Sequence, residues 1–383
     1  MEKYQYYKDT LSALREKGNL RTLPTVKHIG RWVDADGRRM LNLSSNDYLG
    51  LASDVALQND FFNVVTGSDR LLSSSSSRLL TGNFTVCAEL EKLLAGLFHR
   101  EAALVLSSGY HMNTGILPAV TDSNTLILAD KLVHASIIDG IRLSAAKCIR
   151  FRHQDYVQLE RLLGQYHGMH GQIIIVTESI FSMDGDIAPL ERLVGLKKLY
   201  SNVLLYVDEA HAVGVRGSSG LGVAEEQDCV NEIDFLCGTF GKALASVGAY
   251  VVCNDVVREF LVNRMRTLIF TTALPPVNVA WTRFVVERLA DMNDRRKRLS
   301  ETSELLRKAI LSKGMDCVSG SHIIPYIIGD SPETVLKAEA LQRHGFYVLP
   351  VRPPTVPEGT SRLRFSLTAD MEKQEIERLV QSL

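Results

Sequence analysis

The sequence lacks the features that mark secreted, membrane-spanning and repetitive proteins. Its six cysteines among 383 residues are far apart and no two have CxxC spacing, which argues against a zinc site and a disulfide framework. Proline and glycine, at 11 and 27 residues, are too few for a collagen-like or low-complexity chain. Because 43 basic residues face 44 acidic ones, no overall field favours nucleic acid or an anionic membrane.

Long apolar runs are also missing. The run at 203–207 is far shorter than the roughly 20 residues that span a bilayer. The polar N-terminus has no apolar core of a signal peptide. We therefore expect a cytoplasmic protein with reduced thiols that binds no metal, no nucleic acid and no membrane.

What the chain does contain is a set of short apolar runs rich in Val, Ile and Leu. They lie at residues 103–106, 125–128, 172–176, 203–207, 235–237, 249–253 and 268–270. Runs that do not alternate with polar residues are typical of strands buried on both faces of a parallel sheet. Segments of helical period, such as 190–200, lie between several of them. This alternation predicts an α/β fold with a large, mainly parallel sheet.

The end of the chain has a different pattern and predicts a smaller α+β domain. Helical patterns occur at 294–313, 331–344 and 371–383, and strand patterns at 322–328, 346–349 and 362–367. The proline pair at 275–276 suits a boundary, because proline interrupts helices. The predicted parts are 1–45, a helix and a hairpin turning at Asp36-Gly37; 46–275, the large α/β domain; and 276–383, the C-terminal domain.

Four polar segments follow predicted strands, at the edge where open α/β sheets bind ligands. The small-residue turn at 107–113 would present backbone N–H groups to a phosphate at a helix N-terminus. Asp208 ends a buried strand, where a carboxylate can pair with a protonated ring nitrogen, and His211 can reach the same place. Lys242 follows another strand, with the Thr239 hydroxyl close before it. In the fourth segment, 130–136, His134 could lie flat over a ring.

Each of these features alone has a common structural explanation: an ordinary turn, a helix cap, a solvated lysine or a structural histidine. Together they form a phosphate site, an aspartate for a pyridinium nitrogen and a lysine for a Schiff base. That combination, in this order at strand ends, indicates pyridoxal 5′-phosphate (PLP).

Over nearly its whole length the chain resembles the α-oxoamine synthases, which are fold-type I PLP-dependent transferases. The motifs that carry the resemblance are 45–50 (SNDYLG), 77–83 (SRLLTGN), 130–136, 179–186 (SIFSMDGD), 208–211, 239–242, 269–272, 352–357 (RPPTVP) and 362–364. The RPPTVP segment most resembles the biotin-pathway member, and the Leu20-Arg21 pair also fits it. One departure is 71–76 (LLSSSS), where the family has a glycine-rich stretch and serine lacks the freedom of glycine at positive φ.

The resemblance implies a set of cofactor residues. Lys242 would hold PLP covalently and act as general base, Asp208 would keep the pyridine nitrogen protonated, and His134 would stack on the ring and assist the carbon–carbon bond formation. Two side chains are expected at the 3-oxygen of the ring: Ser182 and His211. Five residues are expected to bind cofactor phosphates, the last two across a homodimer interface that the active sites share: Gly109, Tyr110, Thr239, Thr271 and Thr272.

The resemblance also implies a reaction. L-alanine would condense with a pimeloyl thioester, carried by coenzyme A or acyl carrier protein, to give 8-amino-7-oxononanoate, CO2 and the free thiol carrier. Asn46 and Arg364 would bind the amino-acid carboxylate, and Arg21 and Thr355 would line the acyl entrance.

Other activities share many of these residues. Glycine C-acetyltransferase, aminolevulinate synthase and long-chain acyl relatives use the same lysine, aspartate and histidines. An aminotransferase would need no thioester. A non-catalytic regulator would carry an added DNA-binding segment, and the sequence has no basic or helix-turn-helix extension.

Overall fold

The structure is a computed structural model and describes residues 3–383. Its α-helices are α1 (Gln5–Glu16), α2 (Val55–Val64), α3 (Thr85–Leu97), α4 (Gly109–Val120), α5 (Ala135–Leu143), α6 (Tyr156–Tyr166), α7 (Leu190–Lys198), α8 (Val223–Glu226), α9 (Asp255–Arg264), α10 (Arg266–Ile269), α11 (Pro276–Val286), α12 (Asn293–Ser312), α13 (Ser331–Arg343) and α14 (Lys373–Ser382). Its strands are β1 (Lys27–Ile29), β2 (Trp32–Ala35), β3 (Arg38–Asn42), β4 (Ala102–Leu106), β5 (Thr125–Asp130), β6 (Lys147–Phe151), β7 (Gln172–Glu178), β8 (Val203–Asp208), β9 (Phe235–Thr239), β10 (Ala249–Cys253), β11 (Ile323–Gly329), β12 (Phe346–Tyr347), β13 (Pro350–Val351) and β14 (Ser361–Ser366).

The described residues form two compact units. The sheet unit comprises Asp54–Phe181 and Ile187–Arg296, and the terminal unit comprises the described residues up to Ser53, Ser182–Asp186 and Lys297–Leu383. This division differs from the predicted one, because 276–296 lie with the large sheet and the N-terminal segment lies with the C-terminal residues. Pro276 is the first residue of α11, where its fixed φ and missing N–H suit the helix start.

The sheet unit is built on a seven-stranded sheet in the order β4-β10-β9-β8-β7-β5-β6. Every neighbouring pair from β9 to β6 is parallel, and only β10 runs against its neighbours. The central strands are buried along their length, because α-helices such as α4 and α5 pack their apolar side chains, Ile116 and Ile137 among them, against the sheet. The predicted α/β fold with a mainly parallel sheet is confirmed.

One predicted strand is wrong. Residues 268–270 do not form a strand, because Arg266–Ile269 is the short helix α10. Leu268 is the buried residue of this helix, and four residues are too few to show a helical period in the sequence. The sequence reading also missed β6, an edge strand of which only Phe151 is buried.

The terminal unit holds two small sheets, ordered β1-β2-β3-β12 and β11-β14-β13. The predicted hairpin turn is present between β2 and β3, with positive φ at Asp36 (53°) and Gly37 (73°). The strand predicted at 346–349 shortens to the two residues of β12, which pair in parallel with β3. No helix within residues 3–383 combines the length and apolarity needed to cross a bilayer.

Candidate active site

Most predicted cofactor residues of the sheet unit lie at one edge of its sheet. Gly109 follows β4, Asp208 ends β8, Lys242 follows β9, and His134 follows β5. Because these four strands run parallel, their carboxyl ends meet at the same edge.

The first turn of α4 and the end of β9 lie next to each other. Ser108 caps α4, its Oγ accepting the His111 N–H at 3.1 Å. A Cβ atom added to Gly109 or to Gly241 would lie 3.7 Å from Thr239 Oγ1, so both glycine backbones border that hydroxyl. Backbone N–H groups at a helix N-terminus beside a threonine hydroxyl suit a phosphate group.

Tyr110 lies in the first turn of α4. Its ring is half exposed, and its hydroxyl donates to Asp139 Oδ2 at 2.7 Å. This hydrogen bond raises the pKa of Tyr110. The side chain is therefore held on Asp139, and the predicted phosphate contact of Tyr110 rests on its backbone N–H.

Asp208 and Lys242 bring a carboxylate and an amine to the sheet edge. Asp208 is buried, with Oδ1 accepting the Ala210 N–H and Oδ2 accepting from Asn113 Nδ2, both at 2.9 Å. Lys242 is partly buried, and its Nζ lies 3.0 Å from His211 Nε2. The amine thus has a fixed hydrogen-bond partner, and the carboxylate is shielded from water.

His134 caps the N-terminus of α5. Its Nδ1 accepts the Ser136 N–H at 3.2 Å and lies 2.7 Å from Ser136 Oγ. Burial lowers the pKa of His134, the charge of Asp208 opposes that effect, and the charge of Lys242 adds to it. Burial therefore favours the neutral form of the imidazole.

Glu178 is a buried carboxyl that the sequence reading missed. It ends β7 and is paired in register with Asp208 on β8. Burial, and next the charge of Asp208, raise the pKa of Glu178 well above its usual value. Because two adjacent buried carboxyl groups disfavour ionisation of both, the protonated form of Glu178 is favoured.

Thr271 and Thr272 follow α10. Thr271 lines a narrow crevice together with Ser107 and Arg78. The segment is tied to the serine run, Ser73–Ser77: Ala273 N–H donates to the Ser76 carbonyl at 2.9 Å, and Ser74 Oγ donates to the Ala273 carbonyl at 2.8 Å. The predicted contact of both threonines with a partner's cofactor stays a prediction.

The serine run adopts the conformation for which glycine is suited. Ser75 has a φ of 48°, in the left-handed region that side chains disfavour. Its N–H donates to Ser73 Oγ at 3.0 Å, and the two hydroxyls lie 3.1 Å apart. Local hydrogen bonds between serines thus hold a turn whose backbone conformation glycine adopts without strain.

In the terminal unit, Arg364 joins Asn46 and Ser182, as a carboxylate site would require. Its Nε donates to the Ser182 carbonyl at 2.6 Å, and its Nη1 to Ser366 Oγ at 2.7 Å. Longer contacts reach Asn46 Oδ1 at 3.5 Å and the Tyr48 hydroxyl at 3.3 Å. All these acceptors are neutral, so the guanidinium charge is not compensated by them.

Arg21 and Thr355, which are distant in sequence, are brought together in the same unit. Arg21 Nη2 donates to Thr355 Oγ1 at 2.8 Å. Arg352 lies close to them, bonding the backbone carbonyls of Gly18 and Leu20. Burial, and then the charge of Arg21, lower the pKa of Arg352, so two cations share this surface.

No group of three or more His, Cys, Asp or Glu side chains in residues 3–383 is arranged to hold a metal ion.

Known proteins resemble this chain over its whole length. The sequence matches the family "Aminotransferase class I and II" over residues 38–383. An 8-amino-7-oxononanoate synthase of Haemophilus ducreyi is 52% identical over 385 residues, which cover 99% of this chain and 100% of that protein. A protein of Glaesserella parasuis, provisionally named for the same activity, is 57% identical over 374 residues, covering 97% of this chain and 98% of its own. The structure of serine palmitoyltransferase from S. paucimobilis with a bound PLP–myriocin aldimine matches with a TM-score of 0.88 at 29% identity, covering 99% of this chain and 96% of that one.

Proposed function

This chain belongs to the class I and II aminotransferase family, and we propose that it condenses L-alanine with a pimeloyl thioester, with loss of CO2, to give 8-amino-7-oxononanoate for biotin biosynthesis. PLP would be its cofactor. The observation that carries the choice of reaction is the identity of 52% over the full length of a relative named for it. The predicted resemblance to the α-oxoamine synthases is confirmed by the same relatives.

The donor groups of the sheet unit fit PLP. When bound, PLP supplies an electron-accepting ring that stabilises negative charge at the α-carbon of an amino acid. Asp208 offers a buried carboxylate for the protonated ring nitrogen, and Lys242 Nζ offers the amine for the aldehyde carbon. Thr239 Oγ1 and the first turn of α4 at Gly109 offer the phosphate site.

Lys242 and His134 would do the proton chemistry and positioning. Lys242 Nζ is proposed to take the α-proton of alanine, and His211 Nε2, 3.0 Å away, would orient that amine. Burial favours the neutral form of the His134 ring, which can lie against the cofactor without charge repulsion. Ser182 and His211 are proposed as partners of the 3-oxygen.

Arg364 would bind the carboxylate of alanine, with Asn46 beside it. A guanidinium whose present partners are neutral oxygens gains most from an incoming carboxylate, which it can grip with two N–H groups. Arg21 and Thr355, joined by a hydrogen bond of 2.8 Å, would bind the acyl substrate. The cations of Arg21 and Arg352 suit the negatively charged end of a pimeloyl chain.

We also propose a cytoplasmic homodimer with shared active sites. Three large apolar side chains of the sheet unit are strongly exposed on or next to the serine run and the 271–272 segment: Leu72 at 82%, Leu80 at 78% and Phe270 at 72%. A second copy of the chain would bury them and bring its own Thr271 and Thr272 to the phosphate. All six cysteines are unpaired thiols, as in a reducing compartment.

The reaction is tested by CO2 release that depends on a thioester. Pimeloyl-CoA and pimeloyl-acyl carrier protein would be offered with L-alanine, glycine or L-serine, and acetyl-CoA and palmitoyl-CoA would serve as other donors. We expect turnover with a pimeloyl thioester and alanine. Turnover only with acetyl-CoA and glycine, or with palmitoyl-CoA and serine, would move the protein to another α-oxoamine synthase activity. Keto-acid release without a thioester would make it an aminotransferase.

Two variants test the site and the dimer. Lys242→Ala should abolish both turnover and the visible absorbance of the bound cofactor, and normal turnover would contradict the scheme.

Phe270→Glu should convert a dimer to monomers in light scattering, because it places a charge in the proposed interface. Leu143→Glu is the matched control, since Leu143 is equally exposed (68%) at the end of α5.

A further inference from the structure

We propose that Asn113 is a positioning residue that orients Asp208 and, through the Ser136 hydroxyl, holds His134 with its single proton on Nε2. The inference rests on the proposed function, because it assigns His134 a hydrogen-bond-donating face in that reaction. Its starting point is a buried chain of side chains that the sequence reading did not assign.

The carboxylate of Asp208 fixes the orientation of the Asn113 amide. A carboxylate accepts hydrogen bonds and cannot donate them, so the Asn113 atom at 2.9 Å from Asp208 Oδ2 must be Nδ2. The carbonyl Oδ1 then faces Tyr206, whose hydroxyl donates to it at 2.5 Å. Both ends of the amide are satisfied only in this orientation.

The orientation of Asn113 fixes the direction of the next hydrogen bond. Its Nδ2 also lies 2.9 Å from Ser136 Oγ, so that oxygen accepts. The Ser136 hydroxyl hydrogen is then free to donate to His134 Nδ1 at 2.7 Å. The Ser136 N–H reaches the same Nδ1 at 3.2 Å. An imidazole nitrogen that receives two donors carries no proton, so the proton of His134 lies on Nε2.

Burial makes this chain of hydrogen bonds specific. Asn113, Ser136 and Tyr206 are exposed by 2%, 1% and 0%. Water therefore does not offer an alternative partner, and reversing one bond would leave a buried group unpaired. The chain couples the group proposed for the ring nitrogen to the group proposed to stack on the ring.

The charged and titratable groups around His134 act on it in both directions. Asp208 and Asp139 favour an imidazolium, and Lys242 disfavours it. Glu178, from β7, accepts the backbone N–H of His134. These charges act in opposite directions, and Ser136 sets the tautomer. Its hydroxyl and its backbone N–H both donate to Nδ1, which is the nitrogen that a second proton would have to occupy. His134 therefore presents an N–H donor, which suits the developing oxyanion of a thioester carbonyl.

The test uses 15N-histidine-labelled, cofactor-free protein, so it needs no substrate. The His134 signal would be assigned with His134→Asn, and its ring-nitrogen shifts followed against pH. We expect the shift of an unprotonated Nδ1 in the wild type. In both Ser136→Ala and Asn113→Ala, the pKa of His134 should rise by about one pH unit. Ser136→Ala removes the hydroxyl that donates to the neutral ring. Asn113→Ala removes the donor to Ser136 Oγ, so the Ser136 hydroxyl can then accept a hydrogen bond from Nδ1 instead of donating to it. Ser136→Ala removes only a hydroxyl group and keeps the test valid if Asn113→Ala fails to fold.

Asn202→Ala is the matched control. Asn202 Nδ2 donates to the His167 and His170 carbonyls at 2.8 and 3.0 Å, next to the opposite end of β8, and the variant should leave the His134 titration unchanged. A wild-type proton on Nδ1 would overturn the inference. So would a His134 titration in Ser136→Ala that matches Asn202→Ala.

A kinetic measurement separates positioning from mere stability. In the loaded enzyme, Ser136→Ala should lower kcat about tenfold, with little change in KM for alanine, and move the acidic limb of the pH profile up by about one unit. Lower stability with an unmoved limb would contradict the proposal. If the protein used different substrates, the NMR result would stand and only the kinetic substrates would change.

Discussion

Glu209 makes stability depend on pH in a way that a single substitution should remove. It follows Asp208 directly and is 1% exposed, with Oε1 accepting the Ala224 N–H at 2.8 Å. A Cβ on Gly222 would lie 1.4 Å from its Oε2, so the carboxyl is pressed against that backbone. Burial raises the pKa of Glu209 to about 8, even though hydrogen bonds from Ala224, Val223 and Ser179 act in the opposite direction.

The size of the effect follows from the two pKa values. Below pH 4.5 the carboxyl is protonated in the folded and the unfolded chain, and its contribution to stability is complete. From pH 4.5 to about 8 only the unfolded chain ionises, so the free energy of unfolding falls. Since each pH unit between the two values is worth about 1.36 kcal/mol, the total loss is about 5 kcal/mol. Most of it, about 4 kcal/mol, falls between pH 5 and pH 9.

Glu209→Gln keeps an acceptor for the Ala224 N–H and has no charge to bury. The melting temperature of this variant relative to wild type should therefore rise between pH 5 and pH 9. With an unfolding entropy of roughly 2 cal/mol/K per residue, 4 kcal/mol corresponds to about 5 °C. Differential scanning calorimetry of both proteins at several pH values measures it.

Glu91→Gln provides the matched control for another buried glutamate. Glu91 is ion-paired with Arg78 at 2.5 Å and Arg258 at 3.0 Å, so its loss should destabilise the protein at every pH in this range. A difference between Glu209→Gln and wild type that is flat with pH would refute the reasoning. A lower stability of Glu209→Gln at pH 9 would refute it as well.

Two further predictions concern packing and substrate binding. Gly140→Ala should lower the free energy of unfolding by about 3 kcal/mol in chemical denaturation, because the new Cβ would lie 2.2 Å from the Asn113 carbonyl of α4. Gly195→Ala, in α7 with nothing within 4 Å of the added Cβ, should instead stabilise by up to about 1 kcal/mol, and equal effects would contradict the packing argument. Arg364→Ala should raise KM for L-alanine about 100-fold in steady-state kinetics, since two charge-assisted hydrogen bonds are lost. Arg362→Ala should instead lower the melting temperature, and the reverse pattern would show that the two arginine roles are exchanged.

The sheet and its functional edge could be predicted because local pattern and position coincide there. The runs that became β4, β8, β9 and β10 are apolar without alternation, as burial on both faces demands. Asp208 ends one such strand and Lys242 lies three residues after another, so the rule that ligands bind at the carboxyl edge was enough to bring them together. The helix α10 could not be predicted, because its four residues are too few to show a helical period and Leu268 is the one buried among them.

The buried polar network needed the structure. Asn113 lies on α4 and Ser136 on α5, and the sequence gives no reason why these two positions should face one another. The nearest sequence signal is that Asn113 interrupts an otherwise apolar helix face with Met112 and Ile116. Glu178 lies two residues beyond the apolar run 172–176 of β7. From the sequence alone, it looks like the polar residue at which the strand ends. Asn113, Ser136 and Glu178 are assigned to the site by their burial and by their distances to its other residues, and their residue types alone do not show it.

Arg362 and Arg364 show why residue type alone does not assign a binding role. They lie two residues apart on β14, so their side chains leave the same face of the strand. Both reach the Ser182–Asp186 segment, where Asp184 pairs with Arg362 and the Ser182 carbonyl receives Arg364 Nε. The segment can do this because Gly185 turns it at a φ of 70°, where a Cβ would lie 2.0 Å from the Ile323 carbonyl.

Asp184, in that turn, therefore compensates the charge of Arg362 and leaves the charge of Arg364 uncompensated by its hydrogen-bond partners. Arg362 is 4% exposed and forms an ion pair with Asp184, because a buried guanidinium needs a compensating charge. Among residues 3–383, the hydrogen bonds of Arg364 go to neutral oxygens, so its charge is available to a carboxylate ligand. The carboxylate of a bound alanine would pair with Arg364 as the carboxylate of Asp184 pairs with Arg362.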